Sequence, residues 1–405
     1  MKMQRYFTVL LALGWLIAWG IAASGQSQPD PKNMHGAPRD PQTDAAFDHF
    51  YNMEYDRATQ EMEKIVDKRP NDAFALNHLL TVVLMHDLYE TGAMNTGDYT
   101  NDGFIGRAPR PTDQKIKDRI KSLVRRAEAI EEEQLKANPN DVNALYCRGV
   151  TRGQYSVYTG LIERAWFSAL RNAVGARHDH EHVLEHDPDY LDAKMVVGTH
   201  NYVVGNLPWS VKVAAAIAGL SGSKEKGLAY LRQVASGDGE TSNDARVVLS
   251  LFLRREHQYD EALGYMQQLA AKYPHNHLFP TEVANLQRAA GRLDEAEATY
   301  RKVWQLGREG KYGNLHYELA AWGLGELLRS KKDLAGAAAA YELVNLAPNP
   351  DPDILQKANL AAGQMYDLEN KRDQAMKKYE IVLAENANTG PADQARRYIK
   401  EAYRE

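Results

Sequence analysis

The chain has 405 residues, 44% of them apolar and 25% charged, with a net charge of −5. The acidic balance excludes nucleic acid as a main partner, because phosphate binding needs a basic footprint; the length points to several domains or one elongated array instead of a single compact core. The lone cysteine, Cys147, excludes an internal disulfide, and its place in Ala144-Leu145-Tyr146-Cys147 marks it as a small core residue.

Lys2 and Arg5 precede an apolar run over 7–21, and Ala22-Ala23-Ser24-Gly25 supplies small residues for cleavage. Residues 1–25 therefore read as a signal peptide. The alternative is an uncleaved N-terminal anchor, since 7–23 sits at the lower edge of a bilayer-spanning length. Either way the chain is expected to be exported, in the periplasm or anchored to a membrane and facing the periplasm or exterior. No cysteine follows the small residues, which argues against a lipid-modified start. Residues 26–42 hold four prolines and almost no large apolar side chains, so they are expected to form a disordered Pro-rich linker. If the anchor stays, this linker tethers the body roughly 50 Å from the membrane.

From residue 43 onward the apolar period is helical and no sustained alternation of period two appears, so strands are not expected. Arg69-Pro70-Asn71-Asp72, Asn138-Pro139-Asn140-Asp141, Asp187-Pro188-Asp189 and Tyr273-Pro274-His275-Asn276 each close one helix and open the next. Proline cannot continue the helix behind it, and Asn or Asp caps the one ahead. These marks divide the chain into helix pairs at about 39–72, 73–141, 142–190 and 191–242, then 243–276, 277–310, 318–351 and 356–389. Residues 43–242 are irregular, with an insertion near 90–113, whereas 243–389 holds four regular units. Residues 391–404, opening with Pro391, read as a polar-faced capping helix.

The regular units share a register. Ala262, Ala296, Ala337 and Ala375 are each followed four residues later by Met266, Tyr300, Tyr341 and Tyr379, and then by Leu269, Val303, Val344 and Val382. About twelve residues before each alanine stands Ser250, Ala284, Gly325 or Gly363. Helices that cross closely admit only small residues, and the hollows beside them take large ones. The interval from Ala262 to Ala296 is 34 residues, the length of a tetratricopeptide repeat. The chain therefore resembles tetratricopeptide-repeat (TPR) proteins, which implies an all-α, right-handed α-solenoid of stacked helix-turn-helix units that binds proteins or peptides. A shorter stretch, Leu207-Pro208-Trp209 with Val211, Val213 and Ile217, then Gly219-Leu220-Ser221-Gly222 and Gly227-Leu228, resembles the TPR-like family of inclusion-body clearance proteins over about 200–235. It implies an all-helical interaction protein and carries over no catalytic residue.

Several strings carry possible chemistry. His178, His182 and His186 share one helical face, and His182-Val183-Leu184-Glu185-His186 spells the inverted zinc-peptidase string. The string lies in a second helix with no α/β surroundings, so a solvated polar face is the favoured reading, with metal binding or an enzyme-accessory role as the alternative. Asp98-Tyr99-Thr100-Asn101-Asp102-Gly103 fails as a calcium loop, because Pro109 stands where a bidentate Glu is required. Gly237-Asp238-Gly239 has no strand ahead of it and reads as a turn. The apolar stretch 209–220 is too short to span a bilayer and contains Lys212. Packing inside the array is expected for it, with contact at a membrane surface as the lesser reading; membrane contacts made by the insertions at 90–113 and 203–222 would instead make the chain an envelope-assembly factor. No catalytic residue, metal ligand or cofactor is nominated, and the chain is not read as an enzyme.

In arrays of this type the first helix of each pair lines a concave groove. Inward positions hold Arg254, Arg288 and Arg329, with Asn285, Glu326 and Trp322 as neighbours. This register predicts a basic track for an acidic or carboxylate-ending peptide, unless Glu326 and Arg329, three apart, satisfy each other. The expected function is an exported scaffold or adaptor for a protein or peptide.

Overall fold

The computed structural model describes residues 35–94, 111–207, 212, 220–313 and 315–405. The signal segment 1–25, residues 26–34 of the linker, the calcium-like string, and all of the apolar stretch except Lys212 and Leu220 lie outside the described residues. Among those described, there are 17 α-helices and no strand, so the all-α reading of the periodicity holds. In chain order they are α1 (Pro41–Tyr51), α2 (Tyr55–Lys68), α3 (Ala73–Glu90), α4 (Gln114–Ala137), α5 (Val142–Val157), α6 (Trp166–His186), α7 (Leu191–Gly205), α8 (Lys224–Ser236), α9 (Ser242–Arg255), α10 (Tyr259–Lys272), α11 (Leu278–Ala289), α12 (Leu293–Arg308), α13 (Glu318–Ser330), α14 (Leu334–Leu343), α15 (Pro352–Leu368), α16 (Arg372–Glu385) and α17 (Gly390–Lys400). The chain divides into two compact units inside α9, the first ending at Phe252 and the second beginning at Leu253.

Local sequence explains where the helices start. Asp40 accepts the backbone N–H of Gln42 ahead of Pro41, Asp72 accepts those of Phe74 and Ala75, and Asp141 accepts that of Ala144. Each satisfies a donor that the first turn leaves open. α2 buries one stripe, Tyr55, Ala58, Met62, Ile65 and Val66. α3 is buried nearly all round, as expected of a helix apolar on every face.

In the first unit, α1 to α8 with most of α9, each helix from α1 to α8 packs on the next. It also closes on itself, which a simple array does not, since stacked repeats touch only their neighbours. The backbone N–H of Leu191 donates to His35 O at 3.0 Å and that of Ala37 to the Asp192 carboxylate at 3.0 Å. Arg39 donates to Asp238 O at 2.6 Å, Tyr51 donates its hydroxyl to Asp244 at 2.8 Å, and buried His78 meets buried Glu240 at 2.6 Å. Asp192 also accepts the N–H and hydroxyl of Thr241. Residues 35–42, expected to belong to a disordered linker, are therefore docked, with Ala37 only 5% exposed. The physical reason is polar: in an apolar-poor segment the His35 carbonyl accepts from the Leu191 N–H, and the Ala37 N–H finds the buried Asp192 carboxylate.

The second unit, α10 to α17 with the end of α9, follows the repeat register. Ala262, Ala296, Ala337 and Ala375 are fully buried, as are Tyr300, Tyr341 and Tyr379. The small residues mark where a tyrosine lies on a helix backbone. A methyl group on Gly325 would stand 2.4 Å from the Tyr341 ring, and one on Gly363 would stand 2.5 Å from that of Tyr379. The first helices of successive pairs also touch one another, α11 against α13 and α13 against α15, so they form one continuous face. α17 buries Ala392, Ala395 and Tyr398 and exposes Asp393, Gln394, Arg396 and Arg397, as a terminal cap must.

Candidate functional site

The histidine-rich segment lies in α6, and its residues part ways there. Asp179, fully buried, accepts Nε and Nη2 of Arg148 at 3.1 and 2.6 Å and Nη1 of Arg152 at 2.6 Å. His180 turns inward as well. Its Nδ1 donates to Ala176 O at 2.7 Å, its ring meets Tyr146 edge-on at 5.3 Å, and Gly149 leaves room for it. Burial lowers its pKa and keeps it neutral. Of the segment's histidines, His178, His182 and His186 remain toward solvent, the rings of His178 and His182 4.3 Å apart. His182 Nε2 stands 3.9 Å from the Glu185 carboxylate. Among the described residues no three His, Cys, Asp or Glu side chains converge in a way that would hold a metal ion.

A second polar group is buried beside this segment. Glu131 on α4 is fully buried, and burial, only partly offset by its bond to Thr151, raises its pKa to about 7. The single proton of the Thr151 hydroxyl faces two oxygens, Asn77 Oδ1 at 2.7 Å and Glu131 Oε1 at 2.5 Å. A protonated Glu131 resolves the conflict by donating to Thr151, which donates to Asn77, whose Nδ2 donates to Cys147 O at 3.0 Å. The native carboxyl thus holds its proton above the pH at which an unfolded one, near 4.5, releases it. Between those values the native state binds more protons, so stability falls as pH rises from about 4.5 to about 7 and then levels. The melting temperature of Glu131→Gln, minus that of the wild type, should grow between pH 5 and pH 8. A difference that stays flat contradicts the protonated carboxyl.

The six residues nominated for the groove lie on or beside the first-helix face of the second unit. The structure does not arrange them as a basic track. Arg254 Nη1 is 3.1 Å from Glu282 Oε1, and Asn285 Nδ2 donates to Glu282 Oε2 at 2.8 Å. Asn285 in turn accepts the hydroxyl of Tyr300 at 2.5 Å, and Glu326 accepts that of Tyr341 at 2.6 Å. On α15, Asp367 accepts the hydroxyl of Tyr379 at 2.8 Å and Nη1 of Arg372 at 2.8 Å. Burial raises the pKa of Tyr300 to about 12, so the hydroxyl is a donor at any ordinary pH. Asn285 and Glu326 thus brace the second-helix tyrosines. Glu326 and Arg329, able to pair by spacing, bond elsewhere: Arg329 donates to Gln364 Oε1 at 3.4 Å and to the Tyr403 hydroxyl at 3.0 Å, and lies 3.6 Å from the Glu405 carboxylate. Trp322 is half-buried against Tyr341, ring centroids 5.3 Å apart. Arg288 is half-buried; its side chain makes no hydrogen bond or ion pair among the described residues, and its charge acts on the Tyr300 hydroxyl.

Three of these partners escaped sequence reading. Glu282 stands one helical turn before Asn285, which is a legible signal. Asp367 stands only five residues before its arginine, Arg372, whereas Tyr403 carries no signal, because Arg329 lies 74 residues before it.

Known proteins add a partial match. The family model described as regulator of microtubule dynamics protein 1-3 matches residues 108–285, less than half of the chain. It covers the stretch resembling the inclusion-body clearance family and bears a different description. No curated protein matches the chain. Among solved structures, PilW, titled a widely conserved type IV pilus biogenesis factor, is 14% identical with a TM-score of 0.37, over 70% of this chain and 100% of its own. Yeast Tom70 is 13% identical with a TM-score of 0.34, over 89% of this chain and 87% of its own. A human IFIT1 dimer with m7Gppp-AAAA is 12% identical with a TM-score of 0.40, over 98% of this chain and 87% of its own. Likeness at this level carries no argument about function.

Proposed function

We propose that the chain is an exported scaffold, periplasmic or membrane-tethered, that holds a protein or peptide segment along the first-helix face of its second unit. The observation that carries this reading is the contrast along that face. The second-helix tyrosines are bonded beneath it by Asn285, Glu326 and Asp367. Arg288 and Trp322 are left half-buried above them, the guanidinium without a bonded partner among the described residues. An arginine on one first helix and an indole on the next suit an acidic and an aromatic side chain on the ligand. Glu282, Glu326 and Asp367 interleave with the arginines, so the ligand is matched in local charge and is not merely acidic. Export rests on the N-terminal pattern of Lys2, Arg5 and the apolar run that follows.

Arg288→Glu is the cleanest variant, because Arg254 is already tied to Glu282. Affinity capture from an envelope extract with residues 26–405, which keep the docked segment 35–42, should yield a partner that Arg288→Glu loses about tenfold or more, with the variant's circular dichroism unchanged. Equal capture by the variant contradicts the reading.

A further inference from the structure

Beyond α17 the chain runs on without helix for 401–405, yet these residues do not leave the surface. Tyr403 lies at the junction of two first helices. Its backbone N–H donates to Asp367 Oδ2 on α15 at 2.8 Å, and its hydroxyl accepts Arg329 Nη2 from α13 at 3.0 Å. The Arg329 guanidinium carbon is 6.0 Å from the Tyr403 ring centroid, within reach of a cation–π contact. Two residues on, Glu405 brings its carboxylate to 3.6 Å from the same guanidinium. The ring meets Tyr398 edge-on at 5.2 Å. Upstream, Arg372 Nη2 donates to the carbonyls of Tyr398 and Ile399 at 2.6 and 2.8 Å, which fixes the point where the segment departs.

A capping helix needs none of this, since α17 already covers the last pair with Ala392, Ala395 and Tyr398. The contacts are those of a seated peptide: one backbone donor engaged, an aromatic ring on a guanidinium, and a carboxylate two positions later on the same charge. We propose that 402–405 occupies a binding seat formed by Arg329, Gln364 and Asp367. The seat takes a segment with tyrosine followed two residues later by an acidic side chain, and the chain's own segment competes for it. This rests on the reading of the first-helix face as a binding surface. The chain's own segment is displaceable because only a few residues are ordered by contacts that remain half-open to water. Glu405 is exposed, and Arg329 retains 30% of its side-chain surface. Tethering nonetheless gives the segment an effective concentration of about millimolar, which an outside ligand must exceed.

The probe is a fluorescein-labelled peptide with the sequence of residues 398–405, titrated by anisotropy against three proteins that all start at residue 26: the chain to Glu405, the same chain ending at Lys400, and the chain to Glu405 carrying Tyr403→Ala. The truncated chain and Tyr403→Ala are expected to bind the peptide about fivefold or more tightly than the intact chain. Arg329→Glu in the truncated background should abolish binding. Tyr403→Ala keeps the test open if truncation impairs folding. Equal affinity for all three proteins, binding indifferent to Arg329→Glu, or no binding to any of them overturns the proposal. Peptide binding that follows this pattern while Arg288→Glu captures partners normally leaves the seat standing and removes the wider reading of the face.

Discussion

Tyr341→Ala is expected to destabilise the second unit by about 3–5 kcal/mol. The side chain is fully buried, its ring lies against the α13 backbone where Gly325 has no Cβ, and Trp322 packs on it. Its hydroxyl donates to Glu326 at 2.6 Å, and burial together with that carboxylate holds the proton far above the usual phenol range. Two smaller changes separate the contributions. Tyr341→Phe keeps the packing and removes the donor from a carboxylate, for about 1–3 kcal/mol. Gly325→Ala keeps the tyrosine and forces the ring away, for about 1–3 kcal/mol. The added methyl partly fills the space that Tyr341→Ala opens, so the double variant should cost less than the two singles together. Urea unfolding followed by amide exchange in α12 to α15 reads all of these. A loss below about 1 kcal/mol for Tyr341→Ala contradicts the packing rule on which the repeat register depends.

Asp179→Ala is expected to cost the first unit roughly 2–3 kcal/mol, below the ~3–5 of a wholly buried pair. The carboxylate has no exposure, but Arg148 and Arg152 keep 25% and 34% of theirs, so water reaches both guanidinium groups once the acid is gone. What remains is the mutual repulsion of two cations that had shared one anion. Asp179→Asn keeps the shape and one acceptor and should cost less. Thermal melts at low salt give the full effect, and added salt should narrow the gap between variant and wild type by screening that repulsion. Asp179→Ala melting with the wild type at low salt contradicts the structural role of Asp179.

The repeat register was legible because it follows a local rule. Ala337, Tyr341 and Gly325 meet within one helix pair, and the spacing that joins them is set by the helical period. The inward turn of His180 was legible in the same way, since it shares a face with Ala176 and Val183, both fully buried; motif spelling obscured it. The closure of the first unit was not legible. Asp192, Glu240 and Asp244 carry no mark that assigns them to Ala37, His78 and Tyr51, and Pro-rich composition pointed the other way for 35–42. The groove was half legible. Register placed Asn285, Glu326 and Arg329 on the first-helix face, but only three-dimensional packing shows that the first two brace tyrosines and that the third holds Tyr403.

The most direct test of a ligand face on the second unit is site-specific photo-crosslinking in an envelope extract. A photoreactive residue replaces, one at a time, Arg288 and Trp322 on the first helices, and exposed Gln305 and Lys377 on the second helices. One partner joined from positions 288 and 322 and absent from 305 and 377 is the predicted result. A partner joined equally from all four positions, or only from the second helices, contradicts it.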